Sequence, residues 1–308
     1  MLNLTSLGHF QFEIALIFRD TILVSKLTFN SEIWYNLTNT QISKLEQIDE
    51  MYLRQMLDVP RTTPKVGLFI ECGKLPIKFL TKMRRVMYYW HILQTDDTEL
   101  LHKFMTVQKL TPSPNDWILQ LNKDLEDLKI NITESEIKAI SKDNFQRMVK
   151  RKVENLAVVY LNGQRKTKTK DISIKSFQPK EYILSKNLKV SEVQTLYKLR
   201  NSMIDVKENF QSGQENNMWC RTCYLFKATQ QHLVQCSPIR DKLEGLVKFN
   251  QLDYNMIFKT IKSQEYFAKM YTLILDARRD IMSSKSEDHQ HNYSDAGGAP
   301  CCISLDEI

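Results

Sequence analysis

Glycine and proline are scarce, 8 of each in 308 residues, which excludes collagen-like and linker-rich chains and suits a mainly helical one. Long apolar runs are missing too. Ile14-Ala15-Leu16-Ile17-Phe18 is stopped by Arg19-Asp20, far short of the about 20 residues that span a bilayer, so no membrane partner is expected. The first residues have neither the basic start nor the small-residue cleavage site of a signal peptide, which implies a reduced intracellular compartment. The six cysteines do not form the framework of a secreted disulfide scaffold. Cys72 stands alone and reads as a buried reduced thiol, while Cys301 and Cys302 are adjacent in a polar tail and misplaced for prenylation. No internal repeat is visible.

Charge is present and unevenly spread. The chain carries a formal net charge of +7, and residues 147–200 hold 14 basic and 4 acidic residues, so the remainder sums to −3. A basic segment of this kind is an anion-facing surface or a solvated flexible connection. With 42% hydrophobic residues, the chain is long enough for one large or two ordinary domains with real cores.

The most specific signal runs from Trp219 to Cys236. Cys220-x2-Cys223, eight residues, then His232-x3-Cys236 places four metal-type ligands within seventeen residues. A Cys-x2-Cys pair turns two thiolates onto one ion, and an x3 interval puts His232 and Cys236 one helical turn apart on one face. Four such ligands close a tetrahedron around Zn2+, a structural site with no open position for water or substrate, so no catalytic residue is expected.

Along the chain, residues 10–29 are apolar on more than one face and should be buried on several sides; Trp34 and Tyr35 follow as core aromatics. Thr40 is placed to cap a helix to Leu57, with Glu46, Asp49 and Glu50 toward its outer side. Pro60 and Pro64 end that unit, and Pro76 opens a helix from which Lys82, Arg84 and Arg85 project, either as nucleic-acid contacts or as a solvated basic face. Asp96 and Asp97 read as helix-capping residues and not as metal-binding carboxylates. Helices follow over 114–127 and 133–139, the second opened by a Thr133/Glu136 capping box. A longer one over 141–161 carries Arg147, Lys150, Arg151 and Lys152. The Gly-containing run with Arg165, Lys166, Lys168 and Lys170 reads as a hinge and domain boundary over 162–170. Helical spacing resumes over 177–184, 190–203, 238–247 and 255–282, and from Ser283 the composition is that of a disordered tail.

Several stretches, in order, resemble one family. Asn30-Ser31-Glu32-Ile33-Trp34-Tyr35-Asn36-Leu37, Glu46-Gln47-Ile48-Asp49-Glu50-Met51-Tyr52-Leu53-Arg54, residues 60–64 and Leu75-Pro76-Ile77-Lys78-Phe79 look like the part of a LINE-type (non-LTR) retrotransposon polyprotein that follows the reverse-transcriptase palm. Asn115-Asp116-Trp117-Ile118-Leu119-Gln120, residues 199–210 and the Cys-Cys-His-Cys group continue it, over roughly residues 8–282. The resemblance implies thumb-like helices over 1–65, a helical connection over 66–161, a basic hinge and helices over 162–212, a zinc knuckle with C-terminal helices over 213–282, and a tail over 283–308. It implies RNA and DNA as partners, together with an upstream palm, in the nucleus or cytoplasm. The aromatic-x-Asp-Asp turn of the palm and any endonuclease are absent, so this chain alone is not expected to polymerise DNA, a reaction that needs metal-binding carboxylates. It is expected to bind nucleic acid without catalysis: the basic segment holds phosphates, Arg221 and Lys227 approach the backbone, and Trp219 and Tyr224 stack on unpaired bases or pack over the metal site. The alternatives are part of an active RNA-directed DNA polymerase completed by a missing palm, a protein-interaction module, or a remnant without function.

Overall fold

The computed structural model describes residues 12–114, 116–164, 177–204 and 219–294, the stretch 285–294 for its backbone alone. The chain forms two compact units, Met1–Met203 and Ile204–Ile308. Helices build both, and the strand-like pairing among the described residues is an isolated bridge between Trp219 and Lys227. No described helix is long and apolar enough to cross a membrane.

In the first unit, α1 (Phe12–Phe18) runs into a π-helical segment, Arg19–Val24. Its buried face is Phe12, Ala15, Leu16 and Val24, while Ile14, Ile17, Ile22 and Phe29 stay exposed, so the expected burial on several sides holds on one side only. Trp34 is half-buried and Tyr35 exposed. α2 (Asn39–Leu57) is capped by Thr38, in a capping box with Gln41, and not by Thr40. α3 (Lys65–Glu71) follows Pro64, and α4 (Ile77–Gln94) opens after Pro76 as its sequence required. α4 packs against α2, α6 (Trp117–Asp127), α7 (Glu134–Ala139) and α8 (Lys142–Gly163), with α5 (Leu100–Leu110) beside it. The buried face of α8 is Phe145, Val149, Val153, Ala157 and Leu161, one residue every fourth position. Each of the larger side chains contributes about 1.5–3 kcal/mol on leaving water. α9 (Val190–Arg200) completes the unit.

The division between units falls at Met203 and not within 162–170, because the segment after the basic run packs back onto the first unit. Tyr182 Oη donates to Glu71 at 2.9 Å, and Gln194 Nε2 donates to the Met56 carbonyl at 3.1 Å. Of the expected helix over 177–184, only a 3-10 turn at Glu181–Leu184 forms.

Charges cross-brace these helices. Glu46, Asp49 and Glu50 are all buried, against the expectation of an outer face. Arg19 grips Asp49 through two hydrogen bonds of 2.7 and 2.6 Å, Arg54 holds Glu50 at 3.0 Å, and Lys65 lies 3.9 Å from Glu46. Burial raises the carboxyl pKa of both Glu46 and Asp49, opposed by Lys65 and Arg19 respectively. On α6, Asp124 is fully buried between Lys82, at 2.8 Å, and Arg85. Glu71 is fully buried against Arg200 at 3.1 Å. Cys72 is buried and free, its thiol pKa pushed up to about 12 by burial, which makes it inert.

In the second unit, short α10 (Gln230–Leu233) and α11 (Ser237–Lys242) lie against the long α12 (Ile261–Ser294), whose buried face is Phe267, Ala268, Tyr271, Ile274 and Ala277. The stretch from Ser283 to Ser294, read as a disordered tail, continues α12. It contains no glycine or proline, and adding residues to an existing helix costs no new nucleus. The remainder of that tail lies outside the described residues.

Asp124→Ala strands the charges of Lys82 and Arg85. It is expected to lower unfolding stability by about 3–5 kcal/mol in urea denaturation, while Glu126→Ala, exposed one helical step away, changes it by less than about 0.5 kcal/mol.

Candidate metal centre and the placement of the basic residues

The Cys220-x2-Cys223 segment is turned back on itself by its own backbone. Cys220 N–H donates to the Phe226 carbonyl at 2.7 Å, and Tyr224 N–H donates to the Cys220 carbonyl at 2.8 Å. Closing that loop puts Tyr224 at φ +60°, a left-handed conformation that a bulky side chain rarely adopts. Beyond the loop, Thr229 caps α10, its hydroxyl accepting the His232 N–H at 2.9 Å. α10 ends before Cys236, which is itself the N-cap of α11. The expected single helical turn between His232 and Cys236 is therefore the junction of two short helices, held by Gln235 N–H donating to the His232 carbonyl at 2.8 Å. α12 backs this junction: Tyr271 Oη donates to the Gln230 carbonyl at 2.7 Å.

The result is a cluster in which Cys220, Cys223, His232 and Cys236 offer ligand atoms all within 4.8 Å of one another. Cys220 Sγ and Cys236 Sγ are 3.9 Å apart, and Cys223 Sγ is 3.3 Å from His232 Nε2. A zinc tetrahedron with ordinary bond lengths has S–S edges of about 3.8 Å and S–N edges of about 3.6 Å. The donor set therefore fits a metal ion of zinc's size and preference. Three of the four donors are buried, and Cys223 is half-buried. The shared hydrogen bond between Cys236 and Cys220 lowers the Cys220 pKa and raises that of Cys236.

Around the cluster, the aromatic residues do not fold inward. Trp219, Tyr224 and Phe226 are 54%, 64% and 60% exposed, with Leu225 between them and the exposed Arg221 and Lys227 on either side. Trp219 and Tyr224 stay largely in solvent, and the Phe226 ring lies 5.4 Å from that of His232. Leu225 and Phe226 were not singled out from sequence. The signal for these two was their place in a short loop between two ligands.

The other basic residues divide into two sets. Lys82 binds Asp124 and Asp127, Arg85 is buried on Asp124 and the Trp34 carbonyl, and Arg84 donates to the Thr28 carbonyl at 2.6 Å. Lys82 and Arg85 are thus internal braces and not phosphate contacts. On α8, Arg147, Lys150 and Arg151 are exposed, with Arg147 bonded to Asp143 and Asn144 of its own helix turn and Lys150 4.0 Å from Glu154, while Lys152 donates to the Lys129 carbonyl at 2.8 Å. Arg165, Lys166, Lys168 and Lys170 lie outside the described residues. Asp96 accepts from the Thr98 N–H at 2.8 Å in a turn ahead of α5, whose N-cap is Glu99, and Asp97 faces His102 and Lys138.

Compared with known proteins, the chain matches no family model, no curated protein and no solved structure.

Removing a ligand tests the cluster directly. Zinc-loaded protein is expected to release about one ion per chain to a colorimetric chelator. Cys223→Ser or His232→Ala should abolish retention of the ion and the near-ultraviolet signal of the second unit while the helical signal of the first unit persists.

Proposed function

We propose that the chain is a non-catalytic nucleic-acid-binding protein in which zinc, held by Cys220, Cys223, His232 and Cys236, fixes a knuckle that offers Trp219, Tyr224 and Phe226 to unpaired bases. The observation that carries this reading is the exposure of three aromatic rings on a four-ligand cluster, flanked by Arg221 and Lys227. Rings so placed gain little from water and suit stacking on bases, while adjacent cations suit the phosphate backbone. The exposed Arg147, Lys150 and Arg151 of α8 add a second set of charges for phosphates without sequence readout. The resemblance to the post-palm region of LINE-type reverse transcriptases supplies a setting, template RNA or target DNA, and an upstream palm would supply any polymerisation.

A protein-interaction reading has one observation in its favour. Leu100, Phe104, Val107 and Leu110 lie on one exposed face of α5 at helical spacing. The two readings separate by salt. Anisotropy titration of labelled structured RNA and single-stranded DNA is expected to show binding that weakens steeply between low and physiological salt and falls on zinc chelation. Folded, zinc-loaded protein that binds neither at low salt overturns the proposal.

Tyr224 separates fold from binding. At its left-handed φ, glycine is tolerated without strain. Tyr224→Gly is therefore expected to retain zinc and thermal stability while weakening single-strand affinity by about 1–3 kcal/mol.

A further inference from the structure

A second site lies in the first unit, away from the metal ligands in sequence and in a different element set. Between α4 and the first turns of α8 runs a groove of about 420 Å³ whose lining includes Glu32, Arg84, Tyr88, His91, Lys142 and Gln146 beside methionine and tryptophan side chains of α4. Its size falls in the range of small-ligand sites and is too small for a docked helix.

Helical spacing explains the lining. Arg84, Tyr88 and His91 stand at i, i+4 and i+7 on α4, and Lys142 and Gln146 at i and i+4 on α8, so each wall presents one stripe. The walls are fixed by bonds to neighbouring segments, one of them made by the lining residue Trp90. The Tyr88 ring meets the Trp117 ring edge-on at 6.0 Å, Trp117 Nε1 donates to the Glu32 carbonyl at 2.8 Å, and Trp90 Nε1 donates to the Ile140 carbonyl at 3.0 Å. The groups facing the groove are not used up in the same way. The side chains of Tyr88, His91, Lys142 and Gln146 have no hydrogen-bond or ion-pair partner among the described residues. Burial, aided by the nearby Glu32 charge, raises the Tyr88 pKa, so the phenol remains a proton donor. The Tyr88 and His91 rings lie 6.2 Å apart, their planes tilted by 33°.

This combination has a specific chemistry. The Tyr88 ring can accept a stacked base, Lys142 and the guanidinium of Arg84 beyond its bond to Thr28 can accept a phosphate, and an amide and a carboxylate suit the donors and acceptors on a base edge. Lys142 opens α8, where the helix dipole also favours an anion. We propose that this groove binds one unpaired nucleotide of a single-stranded nucleic acid. The proposal rests on the reading of the chain as a nucleic-acid binder, and it places a contact in a unit that the knuckle does not occupy.

The test uses the full-length, zinc-loaded chain and a fluorescein-labelled oligouridylate, with a duplex RNA of equal length for comparison. Lys142→Glu reverses the charge in the groove at a helix position where an acidic residue is favoured, so the fold is kept. Tyr88→Leu keeps an apolar contact on Trp117 and removes the stacking surface. Each is expected to weaken oligouridylate binding by at least about fivefold and duplex binding far less, with zinc content unchanged. Photocrosslinking of a 4-thiouridine-containing strand should label peptides from α4 or the start of α8. If both variants bind the single strand like the parent while Tyr224→Gly weakens it, the groove proposal is wrong and the knuckle reading stands. If the parent binds neither strand form, both readings fail, and equal loss of single-strand and duplex binding overturns the assignment to an unpaired nucleotide.

Discussion

A charge taken out of water must be met by an opposite one, and this constraint organises the first unit. There, Asp49, Glu71 and Asp124 are fully buried, and each draws a cation from a segment distant in sequence: Arg19, Arg200, and Lys82 with Arg85. Such pairs gain little over apolar packing of equal volume, but an unmatched member is costly, so they fix which helix faces which. In the second unit three sulfurs and an imidazole converge, a donor set that could hold a metal ion. The same constraint decides which basic residues remain for a partner. Lys82 and Arg85 are spent inside, whereas Arg147, Lys150, Arg151, Arg221 and Lys227 stay in solvent.

That partition was the least legible part of the sequence. Periodicity treats every charged side chain as surface, which is why Glu46, Asp49 and Glu50 were placed outward and Lys82 and Arg85 offered to phosphates. Nothing within one helical window reveals that the partner of Asp49 is 30 residues upstream, or that Arg85 and Asp124 are 39 apart. Local signals were legible where the chemistry was local. The Thr133/Glu136 capping box, the Pro76 opening of α4 and the extent of α8 formed as their residues demanded. Thr38 took the cap expected of Thr40 because its Gln41 partner stands three residues on and closes the box.

The Cys-Cys-His-Cys spacing was legible as a cluster because ligand spacing is short-range, although the path between His232 and Cys236 is two helix ends and not one helix. The exposure of Trp219 and Tyr224 was open from sequence, since aromatic residues usually join a core. The second unit leaves them outside because Phe267, Tyr271 and Ile274 of α12 already fill its interior. The domain boundary was misplaced for a comparable reason. A polar, Gly-containing run reads as a linker, yet the chain beyond it returns to Glu71 and Met56 through side-chain bonds that composition does not encode.

The central claim is that one zinc ion, bound by three thiolates and one imidazole, organises the surface that presents the aromatic rings. Zinc K-edge X-ray absorption on purified protein tests it most directly. The account predicts a shell of three sulfurs at about 2.3 Å and one nitrogen at about 2.0 Å. A shell fitted by oxygen and nitrogen alone, or protein that keeps no zinc through gel filtration yet retains the near-ultraviolet signature of a folded second unit, would contradict it.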